Sequence, residues 1–212
     1  MSNLNRLATW ADRLAFVLSA AASPYFIIPA FGLAVVWRYA PAWREFWVWG
    51  GIVLAFTTLL PFLYIALNVL GQRITDFHIM LREQRRGPFL VALASISAGT
   101  LLLQALEAPR ELVALGLCLV GNGAVFTIIT YRWKISLHPS VLAAAIVVAT
   151  KFFGPGWAWL GLAVPPVVWA RIRRRRHNLA QGLVAIALAV GLTLFILWGL
   201  KVGEEVTPTP AP

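Results

Sequence analysis

His78, His138 and His177 are the only imidazoles in the chain. Each lies in a short polar stretch between long apolar runs. Two of these stretches combine imidazole with cations. One reads Lys134-Ile135-Ser136-Leu137-His138-Pro139. The other runs from Arg171 through Arg173, Arg174, Arg175 and Arg176 to His177, then Asn178 and Gln181. Both precede a predicted helix, whose free N–H groups and dipole attract an anion. Guanidinium forks add bidentate donors for phosphoryl oxygens. The chemistry that fits is phosphate binding or phosphoryl transfer.

Local spacing gives these residues places. Pro139 suits the first position of a helix, which puts His138 at or beside an N-cap with Ser136 just before it. Asn178 or His177 can cap the last predicted helix. Gln181 follows His177 by four residues, on the same helical face. Its side-chain oxygen is placed to accept an imidazole N–H and fix the tautomer. Blander roles compete. An arginine run is commonly a cytoplasmic anchor, and Asp76-Phe77-His78 on an interfacial loop is more often a solvated cap than a site. Zinc is not expected, because dense arginines repel a dication and no histidine pair has ligand spacing. No other cofactor is called for.

The elements that must position these groups are written for lipid. The chain has 212 residues, 60% hydrophobic and only 12% charged, with mean hydropathy +0.78. A soluble domain carries about twice that charged fraction. Seven apolar runs are visible, at 14–37, 46–70, 89–106, 112–131, 139–153, 157–170 and 179–200. They are continuous rather than alternating, so helices are expected and strands are not. The fold class is an all-α polytopic transmembrane bundle of six to seven spans. A span takes about 20 apolar residues, about 17 at the lower end. Runs five and six fall short and are joined by Gly154-Pro155-Gly156, which predicts a tight helical hairpin. Pro165-Pro166 should kink or loosen the sixth run, and Ser23-Pro24 and Pro29 the first.

The chain divides into a two-helix segment over 1–70, a core carrying the basic loops over 71–200, and a tail over 201–212 with the composition of a disordered segment. The first ten residues are expected along the interface. The first run is too long for a signal h-region and reads as a retained helix. Cys118 stands alone, so no disulfide framework exists.

The formal charge is +10. In this composition basic loops orient spans and meet anionic headgroups, and nucleic acid is not the expected partner. If all seven runs span, the connections 71–88, 132–138 and 171–178 share a side with the N-terminus. That side holds thirteen of the 18 Lys and Arg, and all three histidines. It is therefore expected to face the cytoplasm, in the cell (inner) membrane. Trp37, Trp43, Trp47 and Trp49 read as an aromatic belt at one boundary and Trp133 at the other. Asn68, Gln104 and Asn122 are expected to hydrogen-bond neighbouring helices.

Together the two basic stretches resemble the type-2 phosphatidic acid phosphatase (PAP2) superfamily, relatives of the vanadium haloperoxidases. That family carries Lys, six residues, Arg-Pro; then Pro-Ser-Gly-His; then Ser-Arg, five residues, His, three residues, Asp. Ser136-Leu137-His138 resembles the second motif. Ala170-Arg171, five residues, His177, three residues and Gln181 has the spacing of the third. Arg82-Glu83-Gln84-Arg85-Arg86-Gly87-Pro88 is a degraded form of the first. The likeness covers roughly 71–200.

The resemblance implies roles. His177 would attack phosphorus to give a phosphohistidine, and His138 would protonate the leaving oxygen. Arg171, Ser136, Lys134, Arg82, Arg85 and Arg86 would hold phosphoryl oxygens. The implied substrate is a lipid phosphate or a (poly)prenyl phosphate or pyrophosphate. Gln181 stands where the family has its acid, and Leu137 and Ala170 replace its glycine and serine. Glutamine orients but carries no charge. Either Asp76 supplies the carboxylate from the first loop, or the protein is a weak or silent relative that binds phosphorylated headgroups.

Overall fold

The computed structural model describes residues 9–75, 84 and 86–202. The expectations for the N-terminal ten residues lie almost wholly outside that set, and those for the tail beyond 202 entirely so. Asp76, His78, Arg82, Glu83 and Arg85 also lie outside the described residues. Among the described residues all regular structure is helical.

The first apolar run divides into α1 (Trp10–Ala21) and α2 (Pro24–Tyr39), bent by 44°. The break falls at Ser23-Pro24, because a residue before proline disfavours the α region and proline then starts the next helix. Pro29 stays inside α2.

The second run is one 28-residue stretch, Trp43–Leu70. It comprises α3 (Trp43–Leu54), a π-turn (Ala55–Leu59) and α4 (Leu60–Leu70). Pro61 follows the π-turn, which takes up the lost hydrogen bond. Helices α5 (Arg86–Ala105) and α6 (Arg110–Thr130) pack closely. Even a Cβ at Gly116 would collide with the Thr100 side chain, so glycine is what permits that approach.

The fifth run is the shorter α7 (Leu137–Phe153). The sixth is a 3-10 helix (Pro155–Ala163) leading into α8 (Val164–Arg173), and both pack back on α7 as a hairpin. Pro165-Pro166 does not kink a helix. It occupies the first turn of α8, where proline costs least. The last run is α9 (Leu179–Gly199).

Among the described residues, four stretches are long and apolar enough to cross a membrane: Trp43–Leu70, Arg86–Ala105, Arg110–Thr130 and Leu179–Gly199. The bent α1–α2 pair makes a fifth if it is one span. Large apolar side chains such as Ile128, Phe195 and Trp198 point outward, as lipid-facing residues do. The chain is thus a helical membrane protein.

The interior has two main apolar clusters. The larger joins Val35, Val36, Trp49, Leu112, Phe152 and Leu197. Trp49 therefore faces the core, whereas Trp37, Trp43 and Trp47 remain exposed in the expected belt. The smaller cluster, Phe126, Ile135, Ala185 and Ala189, joins α6 and α9 to the start of α7.

Candidate functional site: two histidines at one end of a cavity

The α8–α9 corner builds one half of the site. Arg171 lies in the last turn of α8. The helix stops through bonds from Arg174 N–H to the Ala170 carbonyl and Arg176 N–H to the Arg171 carbonyl. Arg175 occupies the left-handed region at φ 52°, where glycine is the usual occupant. The reversal delivers His177 to the start of α9.

There Asn178 is the N-cap. Its side chain accepts the Gln181 N–H at 2.9 Å, and Gln181 Oε1 accepts the Asn178 N–H at 3.3 Å. This capping box fixes which amide atom of Gln181 faces back. The same Oε1 lies 3.1 Å from His177 Nδ1. An oxygen there is an acceptor, so Nδ1 carries a proton and, in the neutral ring, Nε2 carries the lone pair. The expected contact between Gln181 and His177 is present, and the cap makes it a tautomer lock.

The α7 start builds the other half more loosely. Ser136 is the N-cap but makes no side-chain capping bond. His138 is the second residue of α7 and Pro139 the third, so His138 sits one step inside the helix rather than at its cap. Ser136 is fully buried, and its Oγ has no hydrogen-bond partner among the described residues. The Ser140 hydroxyl donates within the same turn, to the Ser136 and Leu137 carbonyls.

Arg171 joins the halves. Its Nη1 donates to Ser19 Oγ at 2.7 Å and lies 3.4 Å from His138 Nε2. Arg171 is 8% exposed and His177 9%. Ser19 sits on α1, 152 residues away, and was not expected from the sequence. Helix α1 docks on α8. Arg173 strengthens that docking by bonding Asp12 Oδ1 at 3.0 Å and Thr9 Oγ1 at 3.1 Å.

His138, His177, Arg171, Lys134, Arg174 and Arg176 all line one cavity of about 480 Å³. Arg174 also lies over the Phe16 ring, 4.9 Å from its centroid. Burial, and then the Arg176 charge, hold Arg174 below the ordinary guanidinium pKa. Ser136 is not on the cavity wall. Arg86 is not either; its guanidinium lies 4.7 Å from the Tyr131 ring centroid. Arg82, Arg85 and Asp76 are outside the described residues.

Of the intramembrane amides, Asn122 bridges helices as expected. Its Nδ2 donates to Thr193 Oγ1 at 3.0 Å and to the Cys118 carbonyl at 2.9 Å. Asn68 instead donates to Tyr64 O on its own helix, at 2.8 Å.

Comparison with protein-family models, curated proteins and solved structures finds no match for this chain.

Proposed function

We propose that this protein is a membrane phosphatase or phosphotransferase acting on a lipid phosphate or a (poly)prenyl phosphate or pyrophosphate. The observation that carries the reading is convergence. Two histidines and a buried arginine from distant stretches line the cationic end of one cavity, and one histidine has its tautomer set.

In the first step His177 Nε2 donates its lone pair to phosphorus and the P–O bond to the lipid breaks. His138, protonated and with its ring turned from the donor-only Arg171 toward the substrate, gives its proton to the departing oxygen. In the second step neutral His138 takes a proton from water, whose oxygen attacks phosphorus and breaks the P–N bond. Phosphate leaves and both imidazoles return to their starting states. In the phosphotransferase variant an alcohol takes the place of water. Phosphoryl transfer depends mainly on positioning and charge stabilisation, which a cationic cage supplies. Arg171 and Lys134 serve the phosphoryl oxygens from the cavity wall. The PAP2 likeness adds Arg82 and Arg85 to the cage; Ser136 and Arg86 lie off the cavity wall and would have to turn into it to join them.

Under this reading the fold is a PAP2-like core within six to seven spans, α7 and the α8 limb forming the shorter pair. The site opens to the cytoplasmic face of the cell membrane, where the basic loops cluster. Asp76 is the carboxylate that supports His177 in place of the family's acid.

A second reading follows from Gln181. A neutral amide fixes the ring but does not stabilise the imidazolium, and an Asp→Asn change in a serine-protease triad costs about 10⁴ in turnover. On that reading the protein binds phosphorylated headgroups without hydrolysing them.

The test is phosphate release by purified protein from a panel of lipid phosphates, comparing the parent with His177→Ala and His138→Ala. Release lost in both variants and inhibited by vanadate supports the enzyme. Headgroup binding with no release from any substrate supports the binder.

A further inference from the structure

The cavity does not end at the histidines. It continues between six helical segments, lined by α2 from Pro24 to Phe31, by Thr57–Ile65, by α5 from Pro88 to Ile96, by α6 from Leu115 to Thr127, by α7 from Leu137 to Val148 and by Ala189 and Thr193 of α9. On α6 that is twelve residues of rise, about 18 Å, and on α7 eleven, about 16 Å. The cationic groups sit where α6 ends and α7 begins. From the phosphate site the shaft is thus about half as long as a hydrocarbon core about 30 Å thick.

Its wall is apolar in effect. Thr57 and Thr127 donate to carbonyls of their own helices, both at 2.7 Å. Asn122 donates to Cys118 O and Thr193, as above. Asn122 Oδ1 is an acceptor without a partner among the described residues, and Ser23, also on the wall, makes no side-chain capping bond. A water-filled conduit needs polar groups turned inward, whereas these donors are turned to the protein. The volume falls within the range of sites that enclose a ligand, roughly 300–1,000 Å³. Tyr25 on α2 and Phe62 on α4 both line the shaft, both are more than 40% exposed, and their rings meet edge-on at 6.3 Å.

We infer that this shaft is a chain-binding chamber: the substrate is a phosphate ester of a long apolar alcohol whose chain enters the bundle between Tyr25 and Phe62 instead of staying in the bilayer. The inference rests on the phosphoryl-transfer reading for the headgroup and on the shaft for the chain. An extended chain advances about 1.2 Å per bond, from about 3.5 Å for the three backbone bonds of a residue. The shaft thus takes about fifteen carbons.

The probe is hexadecyl phosphate with a diazirine at mid-chain, applied to the protein in phosphatidylcholine nanodiscs, with labelled residues mapped by peptide mass spectrometry. Labels are expected on shaft residues such as Ala92, Leu93, Leu119, Ala144 and Ala145. Ala144→Phe fills the shaft and is expected to lower that labelling about tenfold, the equivalent of about 1.4 kcal/mol. Val141→Phe makes the same test should Ala144→Phe not fold. The same diazirine chain on a phosphocholine headgroup is expected to label the outward face, at residues such as Leu117 and Phe195. Equal shaft labelling by both probes overturns the inference, since the shaft then merely holds bilayer lipid. So does labelling confined to the outward face with hexadecyl phosphate. Phosphate release is followed on the same samples. Shaft labelling without release removes the enzyme reading and leaves the chamber; release with outward labels alone removes the chamber and leaves the enzyme.

Discussion

The two helix starts that carry the histidines differ in how firmly they are built. At α9, Asn178 and Gln181 form a reciprocal cap, and the same Gln181 oxygen holds His177 Nδ1. At α7, Ser136 makes no capping bond and leaves a buried hydroxyl unpartnered, while His138 reaches Arg171 at 3.4 Å. The contrast matches the proposed roles. A nucleophile must hold one tautomer and one direction before the substrate arrives. A general acid works on a leaving group that arrives with the substrate, and its geometry tightens in the complex.

The most severe test of that contrast removes each imidazole. His177→Ala should lower kcat by about 10⁴ or more, as loss of a catalytic nucleophile or base does elsewhere. His138→Ala should cost about 10²–10⁴ on an alkyl phosphate, the range for general acid catalysis. The loss in kcat/KM, which reports the first step, should be far smaller on p-nitrophenyl phosphate, whose leaving group needs no proton, whereas water activation in the second step needs His138 with either substrate. Equal losses in kcat/KM on both substrates would break the assignment of roles.

Gln181→Glu sharpens the α9 side. Glutamate keeps the capping box, suits the positive end of the helix, and returns a charge to His177. Turnover should rise by at least about tenfold, within a ceiling of about 10⁴ set by the triad precedent. Unchanged turnover together with loss of activity in Asp76→Asn would show that Asp76 already supplies the charge. Unchanged activity in Asp76→Asn would remove Asp76 from the site.

Ser136→Ala addresses the loose start. Removing an unpartnered buried hydroxyl should leave stability unchanged or raise it by about 1 kcal/mol, read by thermal unfolding. If the hydroxyl donates to a phosphoryl oxygen, kcat/KM should fall about tenfold, the value of one hydrogen bond. A hydroxyl that only packs would leave kcat/KM as it was.

The chain anticipated α9 better than α7 for a physical reason. The His177–Gln181 contact is set by helix periodicity, and the Asn178 cap by side chains within three residues, so both are local. The contact of Arg171 with Ser19 joins residues 152 apart and depends on α1 docking against α8. No local pattern encodes that. Most of the apolar runs mapped onto single helices or paired limbs. The breaks did not all follow: Pro24 split the first run as expected, whereas Pro165-Pro166 started a helix instead of bending one. The cavity was invisible because it is a property of six packed segments. Its wall also draws on α2 and α4, which lie within the 1–70 segment read as separate from the core.

The smallest predicted effect lies at the reversal that links Arg171 to His177. Arg175→Gly should stabilise the protein by about 1 kcal/mol, because arginine at φ 52° bears a steric cost that glycine does not. Phosphate release should be unaffected.

The central claim is that His177 Nε2 bonds to phosphorus. The direct measurement is rapid alkaline quench during turnover of a ³²P-labelled lipid phosphate, followed by peptide mapping of the label. The account predicts alkali-stable, acid-labile label on His177, absent from His177→Ala. Steady release of phosphate with no label on the protein, or with label on another residue, would contradict it.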